Sequence, residues 1–152
     1  AHYIKAKSNE DLVGLMQESF QDLRSVAEEK LNILRNGIEG LKLRAKTLNE
    51  LFERSKFYIL DEPIPISAEA QDALKEIDLR DLCSMLKNIP EWTSPSLKIT
   101  VKKFIVDNDL KMDRVAHAVR ALLTGSLVAP GIYDIMLSLG REKSILRLAR
   151  LN

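Results

Sequence analysis

Residues Lys111 to Gly140 read KMDRVAHAVRALLTGSLVAPGIYDIMLSLG, and this stretch decides how the rest of the chain is understood. It predicts an amphipathic helix from about Asp113 to Leu123 or Thr124, a turn carrying Gly125, and a second helix with Pro130 at its first turn. Arg120 falls about one turn before the first helix ends. The early N–H groups of the second helix, at Gly131 and beyond, have no intrahelical partner. With Arg120 they form a donor-rich corner suited to an anionic or acceptor-rich ligand, and Gly131 lets a flat group approach the backbone. The same residues also make an ordinary helix–helix turn with Arg120 in solvent; taken alone, they leave both readings open.

Working outward, the 152 residues suffice for one domain or two small ones, with 45% apolar and 30% charged side chains. No apolar run approaches the roughly 18 residues that a membrane helix needs, which predicts no membrane partner. A chain that opens AHYIKAKSNEDL has neither an apolar signal core nor an initiator Met, and this reads as a fragment or a processed product. One cysteine, Cys83, and two histidines, His2 and His117, cannot build a structural zinc site. A lone thiol fits a reducing, cytoplasmic setting. Charge is uneven: residues 1–96 carry 13 Lys and Arg against 17 Asp and Glu, or −4, and residues 97–152 carry 10 against 5, or +5. A basic C-terminal half points to a polyanionic partner, and equally to a solvated face with a chance imbalance.

The periodicities predict nine helices, no strand, and an all-α chain. Ser8 caps the first, whose Leu12, Leu15 and Met16 share a face. A second runs from about Gln21 to Arg35 and stops at Asn36-Gly37, both tolerant of the left-handed conformation. A third spans Glu39 to Ser55 with Leu41, Ala45, Leu48, Leu51 and Phe52 inward. Asp61-Glu62-Pro63-Ile64-Pro65 reads as an extended linker, which divides the chain into helical sub-domains at residues 1–62 and 63–152. Beyond it, Ser67 caps a helix to about Ile77, Asp78 caps one to about Asn88, and Ser94-Pro95 opens one that Asn108 closes. After Gly140 a last helix reaches about Leu151, with Ile145, Leu148 and Leu151 on one side and Arg147 and Arg150 on others, toward the C-terminal dipole.

No catalytic constellation emerges. His117 has Asp113 a turn away but no Ser or Cys placed to complete a triad. Cys83 lies among leucines in LRDLCSML, as a small buried hydrophobe would. No dinucleotide fingerprint, phosphate loop or zinc-protease motif occurs.

VAHAVRALLTGSLVAPGIYDIMLSLGRE resembles the C-terminal signature of bacterial glutamyl-tRNA synthetases. That pattern is an apolar helix with Arg, then Thr-Gly, then Pro-Gly or Pro-Ser, then a helix ending Leu-Gly-Arg-Glu. Arg120, Thr124-Gly125, Pro130-Gly131 and Leu139-Gly140-Arg141-Glu142 keep its spacing. LRAKTLNELFERSKFYI is similar to the helix opening the family's anticodon-binding region, and AHYIKAKSNEDL to the segment after its catalytic and stem-contact domains. The resemblance implies an all-α, cage-like anticodon-binding region of two helical sub-domains, acting as a monomer on glutamate tRNA. It implies that Arg120, Ala129, Pro130 and Ile132, with Thr124 and Gly131 in the same segment, contact the first anticodon base. Where Ala129 stands some relatives have a hydroxyl, so contact there falls to backbone and apolar surface. A second family arginine reads the third anticodon base, and Arg44 is the candidate for it.

Chemistry agrees with this assignment. RNA loops are read by splaying bases and satisfying their edges, and a pyrimidine edge carries acceptors for an arginine fork. Lys102, Lys103, Lys111 and Arg114 would position phosphates without reading sequence. At 5% aromatic residues, stacking is not the main mode. The family's ATP-binding signatures are missing from these residues. ATP and magnesium are therefore implied for a parent enzyme's catalytic domain and not for this stretch, which reads as a C-terminal portion. A protein-interaction module built on the acidic N-terminal half and an exposed Trp92 loop is the alternative. A DNA-reading helix-turn-helix fits poorly, because the second helix presents Ile132, Ile135, Met136 and Leu139.

Overall fold

A computed structural model describes residues 2–75 and 77–150. Its described residues contain nine α-helices, three short 3₁₀ segments and no strand, and the chain is all-α. It divides into two compact units, Ala1–Leu60 and Asp61–Asn152.

The first unit holds α1 (His2–Ala6), α2 (Asn9–Ser19), α3 (Glu28–Gly37) and α4 (Leu48–Ser55), with 3₁₀ turns at Gln21–Leu23, Ile38–Gly40 and Lys56–Tyr58. Ser8 caps α2 by accepting the Asp11 N–H at 3.1 Å. Leu12, Val13 and Met16 of α2 and Leu31 and Leu34 of α3 are buried where the two helices pack together, and the Phe20 and Phe52 rings stack 4.3 Å apart.

Two long helices expected here are broken. The helix expected from Gln21 to Arg35 splits because Ala27 is extended and its carbonyl takes the Lys30 and Leu31 N–H groups, starting α3 afresh with Glu28 and Glu29 in its first turn. The helix expected from Glu39 to Ser55 splits at Thr47, whose hydroxyl accepts the Glu50 N–H at 3.0 Å while Glu50 accepts the Lys46 N–H at 3.1 Å. Gly37 is not a left-handed stop: its φ is −70°. It is glycine for room, since a Cβ there would lie 2.2–2.6 Å from three carbons of the buried Tyr58 ring.

The second unit holds α5 (Ala68–Leu74), α6 (Arg80–Lys87), α7 (Ser94–Asp107), α8 (Met112–Thr124) and α9 (Ile132–Leu148). Glu76 and Leu151, inside helices that the sequence predicts, lie outside the described residues. Most of α8 is buried, including Val115, Ala118, Val119, Leu122 and Leu123, and it packs against α5, α7 and α9. Gly140 interrupts α9 at φ 86°, ψ 169°, so the helix is bent where the sequence ends one helix and begins another.

Three polar features differ from expectation. The segment after Leu60 is not a free linker. Its Glu62–Pro63 peptide is cis, Ile64 is buried, the Glu62 carboxylate accepts from Arg147 of α9, and the Ile64 carbonyl accepts from Arg150 just after it. Arg147 does not face solvent: only 2% of it is exposed, and it donates to Glu62 at 2.8 Å and to the Leu123 carbonyl at 2.6 Å. Trp92 is docked as well, donating to the Met136 carbonyl at 2.8 Å under the Arg141 guanidinium. That removes the exposed ring on which a protein-docking loop would have rested.

Candidate nucleic-acid interface

The corner is built from the end of α8. Thr124 is the last helical residue, and Gly125 turns left-handed at φ 79° while its N–H closes on the Ala121 carbonyl at 2.9 Å. The Thr124 hydroxyl lies 2.8 Å from the Arg120 carbonyl and 2.9 Å from that of Ser126, donates to one of them, and accepts the Ser126 N–H at 3.1 Å. Ser126 repeats the device by accepting the Val128 N–H at 3.0 Å. These short side-chain bonds hold the turn in place of regular structure.

Pro130 brings its carbonyl back over the helix it left. Arg120 donates to it through Nε at 3.3 Å. One of the five guanidinium N–H groups thus fixes the plane of the fork, and the terminal nitrogens make no hydrogen bond among the described residues. Gly131 then caps α9 with no side-chain bond, and the first intrahelical closure is Ile135 N–H to Gly131 O, leaving the N–H groups of Ile132, Tyr133 and Asp134 outside the ladder. Gly131 is exposed, and a Cβ there would meet only an Asp134 carboxylate oxygen at 3.7 Å, so its backbone face is open.

The structure therefore brings Arg120, Thr124, Ala129, Pro130, Gly131 and Ile132 into one corner, in two roles. Arg120 and Ala129 are half-buried and Gly131 is exposed, so these can meet a ligand. Thr124, Pro130 and Ile132 are buried, and Ile132, 2% exposed, offers a base only its N–H. Arg44 lies in the other unit, exposed on the turn between Ile38–Gly40 and α4 rather than on a helix. Lys102, Lys103, Lys111 and Arg114 are all exposed. Lys103 pairs with Asp107 at 2.9 Å, and Lys111 precedes Arg120 by about 13 Å along α8.

Two residues of the neighbourhood carry no sequence signal. Val128 is 72% exposed at the tip of the turn. Lys98, on α7, holds its ammonium 5.7 Å from the centre of the Tyr133 ring in the first turn of α9. Burial raises the Tyr133 hydroxyl above its ordinary range, so the ring beside that lysine stays neutral.

Other candidate chemistry finds no support in the geometry. His117 is exposed in a 280 Å³ groove with Glu69, Asp72, Ala73, Arg114 and Leu127, and no Ser, Thr or Cys lines it. Cys83 is buried, and burial pushes its thiol above the usual range, with Lys87 opposing weakly. Among the described residues no group of His, Cys, Asp and Glu could hold a metal ion, and no helix is long and apolar enough to cross a membrane.

Known proteins carry the same chain plan. The anticodon binding domain family matches residues 9–152. Glutamate–tRNA ligase 2 of Wolbachia sp. subsp. Brugia malayi (strain TRS) is 38% identical over 151 residues, which cover 97% of this chain and 32% of that protein. The glutamate–tRNA ligase of Afipia carboxidovorans is 32% identical over 157 residues, covering 97% and 33%. The chain thus spans about a third of the length of these relatives. A crystal structure of a glutamate tRNA ligase from Elizabethkingia meningosepticum in complex with its amino acid superposes with a TM-score of 0.75 at 22% identity, over 97% of this chain and 29% of that one, and shows the same fold. With the family matching all but the first eight residues, this chain belongs to the anticodon binding domain family.

Proposed function

We propose that this chain is the anticodon-reading part of a glutamate–tRNA ligase, in which Arg120 reads the first anticodon base. One observation carries the reading. A half-buried arginine is held by the Pro130 carbonyl so that its free fork stands beside an open glycine backbone. A pyrimidine at that position offers ring acceptors to the fork, and a purine would have to displace the turn at Ala129 and Pro130. Arg44 is the corresponding reader of the third base, and Lys102, Lys103, Lys111 and Arg114 supply phosphate contacts. The reading keeps one helical anticodon-binding sub-domain at residues 1–62 and the other at 63–152. Its partner is glutamate tRNA, and it acts in the cytoplasm as part of a monomeric enzyme. ATP and magnesium serve the catalytic portion of that parent, and the residues here take no part in joining glutamate to the tRNA.

The test compares two anticodon stem-loops of glutamate tRNA, one with cytosine and one with adenine in the first anticodon position, at several salt concentrations. The cytosine form should bind tighter by about tenfold or more, in keeping with 1–3 kcal/mol for a well-read base. Arg120→Ala should remove most of that ratio. Equal affinity for both RNAs, or an unchanged ratio in Arg120→Ala, refutes the base-reading role.

A further inference from the structure

Behind the corner lies a second set of contacts that the sequence does not announce. Arg147 is buried in the last turn of α9 and reaches the Leu123 carbonyl at 2.6 Å through Nη1. Leu123 is in the last turn of α8, where carbonyls have no intrahelical partner and negative potential gathers. Arg147 therefore caps α8 from a different helix. Its Nε is held at 2.8 Å by Glu62, which Lys143 also approaches at 3.4 Å. From Glu62 the chain runs straight to the back of the turn. Arg150 donates to the Ile64 carbonyl, the Pro65 carbonyl lies where a Cβ on Gly125 would be 2.0 Å away, and the Ser67 N–H donates to the Gly125 carbonyl at 2.9 Å.

The turn of helix that Arg147 pins is the turn that carries Arg120. Replacing a buried ion pair by well-packed apolar groups is often neutral or stabilising, so this pair is weak grounds for a stability role. What an apolar pair cannot do is hold a carbonyl at a fixed place. We infer that Arg147, oriented by Glu62, is a positioning residue for base reading: it sets the end of α8, and through it the place of the Arg120 fork beneath the Pro130 carbonyl. This rests on the proposed role of Arg120.

The experiment separates positioning from stability by using two variants of the whole chain. Arg147→Met combined with Glu62→Leu removes both charges together, and Arg147→Lys keeps the charge but loses the planar two-nitrogen reach. Three quantities are read in each: the cytosine-to-adenine ratio at the first anticodon position, the urea midpoint by Trp92 fluorescence, and amide exchange of Gly125, whose N–H closes the end of α8. The expected result is a ratio reduced from about tenfold to below about threefold, with faster Gly125 exchange in both variants and a midpoint close to wild type in the double variant. Equal weakening of both RNAs with the ratio intact would assign Arg147 to the framework and overturn the inference. A wild-type chain with no ratio at all takes the reading of Arg120 down first, and this inference with it.

Discussion

Replacing Gly125 gives the sharpest test of how the corner is held, because two separate constraints act on one atom. The first is conformational: at φ 79° an ordinary side chain pays about 1–2 kcal/mol for the left-handed backbone. The second is spatial. A Cβ would lie 2.0 Å from the Pro65 carbonyl oxygen and 3.1 Å from its carbon, and both are backbone atoms that move only with the segment. Moving that segment also breaks the Ser67 N–H bond to Gly125, worth about 1 kcal/mol, and the overpacking adds about 1–3 kcal/mol. Gly125→Ala should therefore destabilise the second unit by about 3–6 kcal/mol. Gly140→Ala provides the comparison, since its φ is 86° but nothing lies within 4 Å of its Cβ. At ψ 169° it lies in a region confined almost wholly to glycine, unlike the left-handed turn of Gly125, so it carries a conformational cost of its own, about 1–3 kcal/mol, with no clash. The decisive variant is Gly125→Asn. Asparagine tolerates the left-handed region and serves well at ordinary helix ends, yet it brings the same Cβ against Pro65. The sole tryptophan, Trp92, reports on this unit, so urea unfolding followed by its fluorescence measures each variant. Gly125→Asn within about 0.5 kcal/mol of wild type would show that the approach of Pro65 does not constrain the turn, and the account of the corner as braced from behind would fail.

Two further outcomes follow from the titrating groups. Burial raises the Glu62 carboxyl, but the hydrogen bond and charge of Arg147, its own backbone N–H and Lys143 together bring it below the ordinary value of 4.5. A depressed folded-state value gives stability that is complete above the unfolded-state value and disappears as pH falls through the folded-state one. Urea midpoints measured from pH 7 downward should therefore drop more steeply on the acid side for wild type than for Glu62→Gln; parallel curves would refute the linkage. The Cys83 thiol is buried and its ionisation is opposed by that burial, so alkylation should be slow in the folded chain and fast in urea, and equal rates would contradict its placement.

The parts of this fold that could be read in the sequence are those whose cause is local. Ser8, Ser67 and Gly125 act within a few residues of themselves, and each caps the helix end that its type and position predict. The stop at Gly140 is local too. The break before α4 is local in cause as well, since Thr47-Leu48-Asn49-Glu50 carries a capping pair. The apolar spacing from Leu41 to Phe52 masks it, because Leu41 and Ala45 are buried without being helical. What stayed hidden has partners distant in sequence. Glu62 and Arg147 are 85 residues apart, Trp92 and Met136 are 44 apart, and Gly37 owes its identity to Tyr58. At the candidate site the same division holds. The Arg120, Gly125 and Pro130 spacing marked the corner, whereas the burial of Ile132 and Thr124, and the lysine held over Tyr133, depend on how α7, α8 and α9 pack.

Charge shows why that division bears on function. The −4 and +5 halves of the sequence do not coincide with its structural units. Residues 1–60 carry 10 Lys and Arg against 9 Asp and Glu, and residues 61–152 carry 13 against 13, so neither unit has more than one net charge. Half of the ten basic side chains after residue 96 are also turned inward or paired. Arg147, Arg150 and Lys143 hold the segment from Glu62 to Ile64, Arg141 covers Trp92 and the Ile89 carbonyl, and Lys103 faces Asp107. With neither unit carrying more than one net charge, attraction to a polyanion falls to individual exposed side chains and not to bulk charge, each phosphate contact contributing in proportion to the cations free to make it. On the proposed reading, discrimination comes from a few donors held in fixed directions. Arg120, with one N–H spent on Pro130 and its helix end tied by Arg147, is a donor held in direction yet still half-exposed to a ligand.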